Sequence, residues 1–536
     1  MGSEMCIRDR FKARIKDGSD WSALNEATFS VGPVRDNLRI TELMYHPEDT
    51  GNPLDPNAEF IELKNTGAES INLNLVRFTD GVDFTFGDLQ LDPGEYVVVV
   101  KDINAFNARY PSFSGTIAGQ YTGSLSNAGE RITLEDAIGQ TILDFGFKDG
   151  WYPITDGYGF SLNIINPSSS DVNEWEYAEY WQSSSTKGGS PGSDYSPNVA
   201  ANGAIVINEV LAHTDDVVYG DWIELYNTTG SPVNIGGWFL SDDSGNLTKY
   251  EIDPADPRAS VPAGGYVVFD SVNDFGNISN LAVHVPFALS ELGETVYLSS
   301  GSGGELSGGF IAKEDFKASD NNVTFGRYTK SAASGYDVDF VAMSSATKGS
   351  ANSGAKVGPV VISEIMYHPV GNTYAEYVEL HNISGGTVTL YDPANPENTW
   401  LLIDETGGIE FYLPTGITMS AGQRILLVKN LGAFESVYGS PSVAAYQWLE
   451  GRLSNAGEKI ELRKPGAPEP DGTVPYIRVD RVNYSDGRHP ENFRGLPGDP
   501  WPTSADGGGD SLHRKVDTDY GNDVDNWQAG APTPGS

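Results

Sequence analysis

The sequence predicts an all-β chain of three tandem sandwiches. Three observations predict it: one set of landmarks recurs three times in the same order, short apolar strands alternate with Gly, Pro, Asn and Asp clusters, and helical periodicity is nearly absent. A length of 536 residues fits this, because one domain takes about 100–200 residues.

The landmarks run as follows. An opening strand reads LRITELMYHP from Leu38, AIVINEVLAHT from Ala204 and VVISEIMYHP from Val360. A second strand follows each time: EFIELKNTG from Glu59, DWIELYNTTG from Asp221 and EYVELHNISG from Glu376. A Gly-containing turn then leads into a third strand, DPGEYVVVV at Asp92, PAGGYVVF at Pro262 and SAGQRILLV at Ser420. Short Phe/Tyr segments follow at Ile103 and Leu431, and the turns near Phe106 and Phe434 are the only candidate helices. LSNAGERITL at Leu125, LSELGETVYL at Leu289 and LSNAGEKIEL at Leu453 come next.

The expected domains are residues 37–193, 203–353 and 359–536, the second being the most divergent. Gly/Ser/Pro-rich stretches, Lys187–Gly203 and Thr347–Pro359, read as flexible linkers. YDPANPENTW near Tyr391 reads as a loop insertion. Residues 1–10, MGSEMCIRDR, look like sequencing read-through, and residues 11–32 alternate like the end of a preceding small β domain. On this reading the chain is an internal fragment of something longer.

With 74 acidic and 34 basic residues the net charge is −40. Such a surface repels polyphosphate, so nucleic acid is an unlikely partner. Cys6 is the only cysteine, so no disulfide forms within the chain. No run of 18 apolar residues exists, which leaves no helical membrane span in this stretch.

Few residues offer chemistry. The pairs Glu42 and Glu62, Glu209 and Glu224, and Glu364 and Glu379 recur at matching places. Two close carboxylates can act as acid and base or hold a cation. Strand alternation puts Glu42 on one face with Ile40 and Met44. A carboxylate there needs hydrogen-bond donors, so the simpler reading is a structural lock on backbone amides or a nearby Arg or Asn. Asn65, Asn227 and Asn382 close the same second-strand motif and read as structural hallmarks. His46, His213 and His368 also recur, without the further His or Cys a transition metal wants, and read as hydrogen-bonding turn residues.

The acidic loop DTDYGNDVDN makes Asp517, Asp519, Asp523 and Asp525 weak calcium candidates, although the EF-hand order is missing. No other cofactor is expected. No nucleophile motif appears, and Ser511 beside His513 lacks the rest of a triad. Trp175, Tyr177, Tyr180 and Trp181 form an aromatic cluster that either stacks on sugar rings or fills the core.

These landmarks resemble the lamin tail domain as found in bacterial exported proteins. The resemblance rests on the opening strand with its Glu and MYHP, on the acid-aromatic-Ile/Val-Glu-Leu-x-Asn strand, and on LSNAGE. GGWFLSDD at Gly236, with LVRFTDG at Leu75 and NTWLLID at Asn398, adds to it. So do the closing stretch from Gly509 to the Thr-Pro-Gly end and its echo from Gly159 to GSPG at Gly189. Copy two departs most, with VLAHT for MYHP and a degraded ending near Thr324. The resemblance implies an immunoglobulin-like sandwich per copy. It also implies a non-catalytic interaction and spacer array in a larger exported or cell-surface protein, meeting a protein or polysaccharide outside the cell. Two alternatives stand beside this: carbohydrate-binding accessory modules of an extracellular hydrolase, and part of an extracellular nuclease or phosphatase.

Overall fold

In the computed structural model, the described residues are 10–28, 33–194, 203–334, 337–489 and 498–536. Nearly all of the segment read as sequencing read-through, and residues 195–202 of the first linker, lie outside them. The strands Arg10–Ala13 and Asn25–Thr28 pair, enclosing a smaller ladder of Lys16–Asp17 with Asp20–Trp21.

Copies one and three share one wiring. In copy one a six-stranded sheet runs in the order Thr116–Gln120, Tyr96–Val100, Phe60–Asn65, Leu38–Met44, Leu162–Ile164, Trp181–Ser183. In copy three the order is Ala445–Gln447, Arg424–Val428, Tyr377–Asn382, Val360–Met366, Ser511–Arg514, Trp527–Gly530. A four-stranded sheet accompanies each, and one apolar core holds residues from both sheets, such as Ile40, Leu63, Phe78 and Ile132 in copy one.

The first pair of strands in each order is parallel, and a helix makes the crossover such pairing needs: Ile103–Arg109 in copy one, Leu431–Tyr438 in copy three. Asp102 and Asn430 cap these helices by accepting the N–H of Ala105 and Ala433, both at 2.8 Å. Phe106 and Phe434 then cover the outer face of the large sheet, over Met44, Phe60 and Val98 in one and Met366, Tyr377 and Leu426 in the other.

Copy two has a five-stranded sheet, Tyr266–Asp270, Trp222–Asn227, Ile205–Leu211, Phe325–Thr329, Val338–Ala342. Its described residues include no α-helix after the third strand, as its missing Phe/Tyr segment foretells.

The chain divides into two compact units. One comprises Met1–Val206, Asn227–Gly265 and Tyr297–Lys313, and the other Ile207–Tyr226, Tyr266–Val296 and Glu314–Ser536. Within the first, Ile154 and Phe160 of copy one pack with Phe239, Leu247 and Leu306 of copy two. Within the second, Val341 and Met343 of copy two pack with Tyr520 of copy three. The Thr347–Pro359 stretch has the composition of a linker but does not behave as a loose one. Asn352 binds Asn208 and the carbonyl of Arg327, and Ala355 bridges to Met343.

One expectation about the opening strand is corrected. Its pairing slips between Ile40 and Glu42, and likewise between Ile362 and Glu364, so Thr41 and Ser363 are bulged residues. The bulge changes which residues point inward. Ile40, Leu43 and Tyr45 enter the core, whereas Glu42, directly opposite Glu62 and so in line with Val98, lies on the outer face with Met44. Glu42 therefore does not share a face with Ile40.

Candidate functional site

The bulge sets the paired glutamates opposite each other on adjacent strands, Glu42 against Glu62 and Glu364 against Glu379. All six glutamates are buried, none more than 2 % exposed. What buries them is the end of the same copy. In copy one, Ser190 N–H donates to Glu42 Oε1 at 2.8 Å and Gly192 N–H to Glu62 Oε2 at 2.5 Å. In copy two, Thr347 N–H donates to both oxygens of Glu209 at 3.1 Å and Gly349 N–H to Glu224 Oε2 at 2.5 Å. In copy three, Thr533 N–H reaches Glu364 Oε1 at 3.0 Å and Gly535 N–H reaches Glu379 Oε2 at 2.7 Å. The closing segment is Ser-Pro-Gly, Thr-Lys-Gly or Thr-Pro-Gly. Its alternate amides meet alternate carboxylates, as sheet spacing allows.

The residue before the first glutamate supports the second. Thr41 Oγ1, Asn208 Nδ2 and Ser363 Oγ each donate to its Oε1 at 2.7 Å. A hydroxyl at or just before the start of the closing strand that pairs with the opening strand (Leu162–Ile164, Phe325–Thr329, Ser511–Arg514) supports the first: Ser161 to Glu42, Thr324 to Glu209 at 2.6 Å, and Ser511 to Glu364 at 2.5 Å.

The contact of Ser511 with His513 has a counterpart in copy one. Ser511 Oγ lies 2.9 Å from His513 Nε2, which in isolation looks like a nucleophile and its base. Asn163 stands in that place in copy one, where its Nδ2 donates to Ser161 Oγ at 3.0 Å, and the hydroxyl still holds the glutamate. The hydroxyl–glutamate bond is constant and the histidine is not, so the contact belongs to the clamp. Ser511 is also fully buried, away from any substrate.

Electrostatics differ between copies. Burial raises Glu42 above the usual carboxylate range despite the donors Ser161, Ser190 and Asn163, and burial together with Glu42 raises Glu62. Burial pushes Glu224 up to about 7, against the donors Gly349 and Asn208. In copy three, Arg424 Nη1 lies 2.5 Å from Glu379 Oε1. Tyr96 holds the matching place in copy one, since Tyr96 pairs with Lys64 as Arg424 pairs with His381.

The hallmark asparagines are fully buried and hold the turn after the second strand. Asn65 donates to the carbonyls of Glu69 and Leu91, Asn227 to those of Ser231, Val261 and Pro262, and Asn382 to those of Gly386, Met419 and Ser420, all at 2.8–3.0 Å. Their Oδ1 atoms accept the N–H two residues on.

Sequence reasoning missed two further acids per copy. Glu59, Asp221 and Glu376 accept the N–H of Leu125, Leu289 and Leu453 at 2.8–3.0 Å. Glu130, Glu294 and Glu458 accept the N–H of Ser126, Ser290 and Ser454 at 2.6–2.8 Å. Their signal was present, in the acid that opens the second strand and in the final Glu of LSNAGE. The recurring histidines anchor turns: His46 to Asp156 at 2.5 Å, His368 to Asp506 at 2.6 Å and His213 to the Ser319 carbonyl at 2.8 Å.

Two candidate sets do not assemble. Asp517, Asp519, Asp523 and Asp525 do not converge. Asp517 pairs with His381 at 2.6 Å, and Asp523 accepts from Ser331 N–H and Oγ and from Ser334 Oγ at 2.6–2.9 Å. The only cluster of three such ligands among the described residues is Asp486, His489 and Asp499, whose groups already bond to one another. In the aromatic cluster the tryptophans take the core alternative. Trp175 and Trp181 are fully buried core residues, donating to the carbonyls of Ile40 and Trp175 at 3.0 and 2.9 Å, so neither offers a face to a sugar. Tyr180 is partly buried against the same core, and only Tyr177 is exposed.

Three tandem β-sandwich modules, each with its signature acids turned onto its own backbone, define a class of structural and interaction domains. A family model described as the Lamin Tail Domain matches residues 33–149, 198–312 and 353–486, more than half of the chain, and the chain belongs to that family. Lamin tail domains are non-catalytic modules that bind or space, and the tandem copies make this chain such an array. No curated protein matches it.

Proposed function

We propose that this array serves a larger exported or surface protein, holding its partners apart and offering loops to a protein or polysaccharide outside the cell. The family supports the external setting, and among the described residues no helix is long and apolar enough to cross a membrane. In this reading each domain extends past its matched stretch to its closing segment, giving residues 37–193, 203–353 and 359–536. The paired glutamates and the hallmark asparagines are then locks that finish each sandwich, and calcium has no part in them.

One observation carries the reading: in all three copies the recurrent carboxylates accept backbone N–H groups of their own domain. A carboxylate so engaged is not poised to take a substrate proton. Antibody labelling of intact against permeabilised host cells tests the location, and equal labelling of both is expected. Signal only after permeabilisation overturns the external assignment. A fluorogenic nuclease and phosphatase screen with divalent cations is expected to be flat.

A further inference from the structure

We propose that the closing segment of copy one is an acid-tightened latch: Ser190 and Gly192 stay seated while the Glu42–Glu62 pair holds a proton, and loosen when both carboxyls ionise. The inference rests on reading the pair as a lock.

The pair is built without a cation of its own. Glu42 and Glu62 are direct cross-strand neighbours with 0 % and 1 % exposure. Among the described residues, no element packed on them pairs a cation with either carboxyl. From the third strand comes Tyr96, whose hydroxyl donates to Asp194 instead. From the second strand comes Lys64, whose ammonium pairs with Asp194 at 2.5 Å and is the smallest of the influences on Glu62, after burial, Glu42 and the Gly192 and Thr41 donors. The closing strands supply Ser161 and Asn163, both neutral. The helix end supplies Tyr110, also neutral, and its neighbour Arg109 is turned to Asp55 and Glu48. Copy three solves the same problem with Arg424 on Glu379.

Opening the segment lets water reach the two carboxyls and lowers their proton affinity towards the free value of about 4.3. Closing it removes that water, and burial raises both groups. Protons and the closing segment therefore bind together. The sign follows: closure is fully supported below the open-state value and weakens as pH rises through the raised one. For one group the closing equilibrium falls about tenfold per pH unit across that window.

The test is amide hydrogen exchange of the full chain at pH 5.5, 7 and 8.5, corrected for the intrinsic rate. The peptides read are those holding Ser190–Gly192 and Thr533–Gly535. Protection of the first is expected to drop at least tenfold from pH 5.5 to 8.5 relative to the second. Tyr96→Arg, which imports the copy-three solution, is expected to flatten that slope, and Glu42→Gln to do the same. Parallel, pH-independent protection in both copies overturns the latch while leaving the lock intact. Absence of protection in both copies at every pH overturns the lock itself. Should Glu42→Gln fail to fold, the wild-type slope and Tyr96→Arg still decide.

Discussion

Glu62 and Gly192, 130 residues apart in sequence, are joined by a 2.5 Å hydrogen bond from the glycine N–H to the buried carboxylate. Glu224 with Gly349 and Glu379 with Gly535 repeat that bond. A bond kept three times while the sequence around it drifts marks the point at which each sandwich is closed.

Gly189 is the first place to test this closure. It sits at φ +75°, and a Cβ there would run into Glu42 Oε1 and Ser161 Oγ. Gly189→Ala combines left-handed strain with that collision, and is expected to cost at least about 1 kcal/mol and to unseat the segment. Loss of protection at Ser190 and Gly192, with the rest of copy one unchanged, is the expected result in hydrogen exchange.

Asn382 tests the second lock. Its side chain satisfies three carbonyls and one N–H in a fully buried setting. Asn382→Ala leaves those groups unpaired, and a loss of about 2–3 kcal/mol is expected in the unfolding transition of copy three. Asn382→Asp is expected to be no better, because a carboxylate cannot donate to the carbonyls.

Trp181→Ala separates core from binding face. Removal of a fully buried indole is expected to destabilise copy one by about 3–5 kcal/mol. Tyr177→Ala, at an exposed position, is expected to change stability by less than about 0.5 kcal/mol. Sugar binding lost on Tyr177→Ala would restore the carbohydrate reading.

The acidic loop of copy three is expected to act as a docking element. Asp339 accepts from Tyr520 and Asn522 at 2.8 Å and pairs with Arg481 at 2.5 Å, while Asp523 takes Ser331 and Ser334. Burial opposes ionisation of Asp339, but Arg481 and Lys330 outweigh it and hold the carboxyl below its ordinary value. A lowered value gives stability that is present above about pH 4 and lost only as pH falls through the lowered one. Asp339→Asn is expected to lower the melting temperature of the second unit, and EGTA to leave the wild type unchanged. A calcium-dependent melting shift would contradict this use of Asp523.

The fold was legible because triplication supplies its own alignment, and short strands between Gly and Pro clusters left little else to build. The position of the glutamates was legible too. Their partners were not, since a closing segment 125–169 residues downstream carries only Ser/Thr, Gly and a variable residue between. The bulge at Thr41 was hidden because nothing in Ile-Thr-Glu marks an extra residue, and alternation then put Glu42 on the wrong face. Trp175 and Trp181 misled for a similar reason: a run of aromatics in turns says nothing of direction until the sheet that they cover is known. The acids of DTDYGNDVDN looked like calcium ligands because composition does not show that serines of the preceding copy already occupy Asp523.

The most direct measurement is amide exchange at one fixed pH, 6.0, for the glycines at the three closures: Gly192, Gly349 and Gly535. All three N–H groups are expected to exchange as slowly as sheet amides. Exchange of all three at the rate of a free tail would contradict the clamp.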